Sequence, residues 1–145
     1  MVRFMARRRP PKLTKSHYEM LAALRLALRR FLAFSQSAAK TEGVPPQQHQ
    51  ALLAIKGFPG REQVSIGELA EWLHLKHHSA VGLVDRLARR QLVTRVASSD
   101  DRRQVHVKLS ARGEALIQRL SVAHLAELKR LGPEWKKLID LAEKV

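Results

Sequence analysis

Lys76, His77, His78 and Ser79 stand just ahead of an apolar-periodic segment. Val81, Gly82, Asp85, Arg86 and Arg89 follow at spacings that set them on the face away from its apolar residues. Ammonium, imidazole, hydroxyl and guanidinium groups on one exposed helix face can hydrogen-bond base edges and phosphate oxygens. A second group lies at Asp100, Asp101, Arg102 and Arg103, in a charged turn. There one carboxylate, assigned to Asp101, can hold one guanidinium and shape the loop, leaving the other free to enter a narrow electronegative groove. Asp85 is repelled by phosphate and is expected to pair with a nearby Arg instead.

Neither group is suited to bond-making chemistry. The chain has no Gly-rich phosphate loop, no Cys nucleophile and no convincing pair of carboxylates, so it does not look like an enzyme. His74, His77 and His78 cluster in sequence, but no carboxylate completes a ligand set, and neither a metal nor a cofactor is expected.

These groups need a scaffold, and the hydrophobic pattern supplies one. Residues 1–15 form a flexible basic arm, with Arg3, Arg7, Arg8, Arg9, Lys12 and Lys15 unrelieved by any acid and Pro10-Pro11 breaking a helix. Tyr18, Leu21, Leu24, Leu28, Phe31 and Leu32 recur at helical spacing over 16–39, with Gly43 and Pro45 beyond. A short helix is predicted over 46–56. Another follows Ser65, whose spacing to Glu68 is that of a capping box. After a break at His74-Leu75-Lys76 comes the helix that carries the first group, with Ala80, Leu83, Val84 and Leu87 inward.

The period then falls to two. Residues 93–96 and 104–109 predict a two-stranded hairpin with Val105, Val107 and Leu109 on one face. Ser110 caps a helix that Gly132-Pro133 is expected to stop, and a last helix over 133–143 carries Trp135, Leu138 and Ile139. The fold class is mainly α, about six helices with a small β-hairpin wing: a winged helix-turn-helix. The division is an arm (1–15), an N-terminal dimerisation helix (16–45), the winged helix-turn-helix (46–109) and C-terminal dimerisation helices (110–145).

Composition agrees. There are 27 Lys and Arg against 13 Asp and Glu, a formal charge of +14, which favours a polyanion partner through counterion release. The chain is 45% hydrophobic with no Cys, so it can bury a core but holds no disulfide or thiolate site. No apolar run reaches the roughly 20 residues of a membrane span, and the N-terminus lacks a signal-peptide segment; a cytoplasmic protein is expected.

Glu68-Leu69-Ala70, Val84-Asp85-Arg86-Leu87, Asp101-Arg102-Arg103 and Leu109-Ser110-Ala111-Arg112-Gly113, in that order, resemble the motifs of the MarR family of bacterial transcription regulators. Pro46-Gln47 before an apolar helix also fits. The resemblance covers roughly residues 16–143. It implies a homodimer joined through the first helix and the last two, bound to double-stranded DNA at a palindromic operator. The recognition helix would enter the major groove and Arg102 or Arg103 the minor groove. It also implies a repressor answering a small, often aromatic ligand, for which Phe31, Phe34, Trp72 and Trp135 are candidate lining residues. Two positions depart from the pattern. Lys76 stands where Ser or Thr usually caps the recognition helix, and Gln91 where Gly usually ends it, implying strain or a different helix end. The alternative function is an architectural protein that binds DNA by charge with little sequence preference.

Overall fold

The computed structural model describes residues 10–97 and 104–144. Five helices and three short strands follow one another as α1 (Lys15–Thr41), α2 (Pro46–Lys56), β1 (Gln63–Ser65), α3 (Ile66–Trp72), α4 (His77–Arg89), β2 (Val93–Ala97), β3 (Val105–Leu109) and α5 (Ala111–Ala142). The strands form one antiparallel sheet with β3 central, in the order β1-β3-β2. Val64 faces Val107 across one ladder, and Val93 faces Leu109 across the other.

Three expectations change. The hairpin is part of a three-stranded sheet, because Gln63–Ser65, too short to show an alternating pattern, pairs along β3. There are five helices, because α5 runs through Gly132-Pro133 without stopping. Proline removes a donor and crowds the carbonyl four residues back. Here Leu131 and Leu138 are buried on either side of it, in the helix that packs along α1, and that packing keeps the helix continuous. On β3, Val107 and Leu109 are buried as expected, but Val105, at the strand end beside the hairpin tip, is 45% exposed, and His106 is buried instead.

The local signals otherwise act as chemistry requires. Ser65 Oγ accepts from Glu68 N at 3.1 Å, while a Glu68 carboxylate oxygen accepts from Ser65 N at 3.0 Å. Ser110 Oγ accepts from Gly113 N at 3.0 Å and starts α5. Leu52, Ile55, Leu69, Leu83, Leu87, Val64, Val84, Val107 and Leu120 are fully buried in one core that joins α2, α3, α4, the sheet and the first turns of α5. Each such side chain contributes roughly 1.5–3 kcal/mol of transfer free energy. Beyond that core α1 and α5 run against each other as two long helices.

One glycine is indispensable. A Cβ placed on Gly113 would lie 2.0 Å from the Leu92 carbonyl oxygen, a backbone atom with little freedom to move. Leu92 O is also the acceptor for Ser110 N at 3.0 Å, so the start of β2 and the start of α5 are joined there. Gly113→Ala is expected to destabilise the fold by about 3 kcal/mol, read as a lower denaturant midpoint in urea with an unchanged slope.

Candidate nucleic-acid interface

α3 and α4 pack together as a helix-turn-helix pair. The turn depends on His74, which adopts φ of +53°, a conformation unusual for a residue with a Cβ. Leu75 N then donates to Ala70 O at 2.8 Å, closing the turn. Lys76 is the N-cap of α4, in extended conformation and with no side-chain cap hydrogen bond, so its ammonium stays free to point outward.

α4 buries Ala80, Leu83, Val84 and Leu87. The opposite side brings together Lys76, His77, His78, Arg86 and Arg89, all exposed, with Ser79, Val81 and Gly82 partly covered among them. Arg86 reaches back along the helix. A Cβ on Gly82 would stand 3.3 Å from Arg86 Nη1, so the small residue leaves room for the guanidinium in the middle of this face. Asp85 is paired with Arg95 of β2, as the repulsion argument requires, and that ion pair removes the one acidic charge from the helix.

The C-terminal end of α4 is held by a residue that sequence reasoning missed. Arg90 donates through Nη1 to Gln48 Oε1 at 2.9 Å and through Nη2 to Gly43 O at 2.8 Å. Both partners lie more than forty positions away, where no local spacing signals them. Gln91 then turns the chain with φ of +58°, which confirms strain at this helix end. Its carbonyl accepts from Ser110 Oγ at 2.6 Å.

On α3, Glu68 is held below the ordinary carboxylate range. Burial opposes ionisation there, but the hydrogen bond from Ser65 N and the Arg61 guanidinium outweigh it. Asp101, Arg102 and Arg103 lie outside the described residues, as does the basic arm through residue 9. The candidate ligand-lining aromatics do not share one cavity. Phe34 lines a groove of about 260 Å³ with Ser37, Ala38, Thr41, Glu42, Arg119, Leu120 and Ala123 between α1 and α5. Phe31 lies nearby, against His124. Trp72, 52% exposed, stacks instead near Phe58, 5.5 Å away, in a separate groove on α3. Trp135, on α5, has a buried indole N–H with no hydrogen-bond partner. Among the described residues no three His, Asp or Glu side chains converge on a metal position, and no helix is long and apolar enough to cross a membrane.

A braced helix pair with a cationic outer face on α4, followed by an antiparallel hairpin, defines a winged helix-turn-helix fold. Residues 42–104 match the sequence profile of the MarR family. No curated protein sequence matches it. Among solved structures, a MarR family protein from Bacillus stearothermophilus is 20% identical with a TM-score of 0.74, covering 92% of this chain and 98% of that one. A probable transcriptional regulator from Pseudomonas aeruginosa is 27% identical with a TM-score of 0.61, covering 83% and 92%. A mutant of MepR from S. aureus, bound to an oligodeoxyribonucleotide, is 14% identical with a TM-score of 0.63, covering 92% and 95%.

The left-handed residue ending α4 makes one substitution informative. Glycine adopts that conformation without a Cβ penalty of about 1 kcal/mol. Gln91→Gly is therefore expected to stabilise the protein by about that amount, seen as a higher thermal midpoint, since the backbone acceptor for Ser110 is kept.

Proposed function

We propose that this protein is a homodimeric transcriptional repressor that binds a palindromic operator and releases it on binding a small aromatic ligand. The observation that carries the reading is the outer face of α4. Five cationic or imidazole side chains are exposed there, and its single acid is neutralised by Arg95. A face of that chemistry fits a major groove about 12 Å wide. Lys76, His77, His78 and Ser79 lie at the N-terminal end, which meets base edges first. Val81, Gly82 and Arg86 continue along the helix, and Arg102 or Arg103 supplies the minor-groove contact. Its place of action is the cytoplasm, with the DNA.

The homodimer is supported by the apolar surface on the two long helices. Leu21, Leu32, Val122, Leu125 and Ile139 are each more than half exposed on this chain alone, and such stripes call for a partner. The ligand reading is supported by the groove at Phe34, whose volume suits a single aromatic ring. Ligand binding between α1 and α5 would change the separation of two recognition helices and so the population able to bind DNA.

Selection of bound sites from random duplex DNA tests the reading. A palindromic site, with half-sites about one helical turn apart, is expected. Recovery of unrelated sequences with a steep salt slope would replace the regulator with an architectural protein. On the selected site, Arg86→Ala is expected to lower affinity about 10–100-fold and relax preference at one base pair. Arg102→Ala or Arg103→Ala should weaken binding while leaving the dimer intact; unchanged affinity in both removes the wing assignment. The joint substitution Leu21→Glu and Ile139→Glu should give monomers in sedimentation velocity.

A further inference from the structure

His49 and His124 take no part in the reading face. They meet where α1, α2 and α5 converge, between the long helices and the winged helix. Their ring centroids are 4.8 Å apart with the planes tilted by 41°. His49 is 4% exposed. Phe31 and Phe34 pack against His124 with centroids 6.0 and 5.3 Å away. The hydrogen bonds of His124 fix its neutral tautomer. The Leu120 carbonyl, 2.6 Å from Nδ1, can only accept, so Nδ1 carries the proton. Nε2 then accepts from the Ser35 hydroxyl at 2.8 Å.

The residue beside His49 leads to the recognition helix. Gln48 accepts from Arg90, the C-cap of α4, and Arg90 also holds Gly43 O. Two successive residues of α2 therefore touch α5 and the end of α4.

We infer that His49 and His124 position the recognition helix through Gln48 and Arg90, and that charging the buried His49 ring in acid releases that helix. The inference rests on the DNA-reading role proposed for α4. Burial, and then the charge of His124, lower the proton affinity of His49 below its ordinary value of 6.5. At neutral pH the ring is uncharged and the junction closed. In acid, a proton on His49 puts charge on a buried ring packed against His124, and any shift of α2 away from α5 carries Gln48 with it. Flanking charges do not offset this. Glu42, the C-cap of α1, is bound by Arg119 of α5 at 3.2 Å, and Glu127 by Arg130 at 2.6 Å. Among the described residues neither carboxylate is bonded to an imidazole. The sign follows from linkage: with the folded-state value lowered, the stability of the junction is complete above pH 6.5 and is lost as pH falls below it.

The contact of the reading face with DNA has a pH dependence of its own, so the test is a difference. Full-length protein and His49→Phe, which keeps a ring but cannot titrate, are compared on a selected duplex from pH 7.5 to 5.5. Wild type is expected to lose about tenfold in affinity relative to His49→Phe over that range. Arg90→Gln should lose the same pH dependence while His49 still titrates. Parallel profiles in all three overturn the inference. A second readout needs no DNA: the Gln48 side-chain amide, followed by NMR, should shift with the His49 midpoint and lose that step in His49→Phe. A Gln48 signal indifferent to the histidines overturns the relay. If instead the signal follows them but no duplex is bound, the relay stands and the proposed DNA function falls.

Discussion

The placement of α4 depends on one crowded junction, where its end meets the start of α5. Gln91 turns the chain in a left-handed conformation, Leu92 follows, and the Leu92 carbonyl receives Ser110 N. Ser110 Oγ bonds Gln91 O in turn, and Gly113 leaves the space that Leu92 O occupies. Both ends of the wing hairpin thus leave from the same few residues, so α4, the sheet and α5 share one anchor there. Arg90 extends the clamp to α2 and to the loop after α1. A positive φ at Gln91 costs about 1–2 kcal/mol, and the hydrogen bonds on either side over-determine it.

Within that frame the acids are paired rather than scattered. An excess of fourteen positive charges would repel itself if gathered on one face. The acids are placed where they shape structure instead. Glu68 completes the cap of α3 and holds Arg61, Lys56 lies between Glu62 and Glu114, and Asp85 is matched by Arg95. Being exposed, these pairs add little stability. With Asp85 matched, the outer face of α4 and its N-terminal turn keep five exposed cationic or imidazole side chains and no unpaired acid.

What was legible in the sequence was what neighbouring residues decide. The Ser65–Glu68 box, the Ser110 cap, the inward set Ala80, Leu83, Val84 and Leu87, and the strain at Gln91 are all consequences of local spacing, and the structure has each of them. What escaped depends on residues far apart. Strand β1 exists only because β3 offers it an edge. The Arg90–Gln48 bond spans 42 positions, and no helical or strand period encodes it. Pro133 is the opposite failure: a strong local rule yielded to burial of Leu131 and Leu138 in the helix lying along α1.

The unbroken α5 has a mechanical consequence. A helix of 32 residues is about 48 Å long at 1.5 Å per residue. Its first turns belong to the core of the winged helix, and its later turns carry the exposed apolar stripe with α1. One rigid rod therefore links the surface that a second copy would cover to the module that would meet DNA. Rotation of one against the other cannot be absorbed within α5 and must fall on the contacts of α2. There the chain has placed a buried imidazole against a second one, and the glutamine that holds Arg90. In a dimer the distance between recognition helices would be set at the long helices, whereas the tilt of each would be set at this junction.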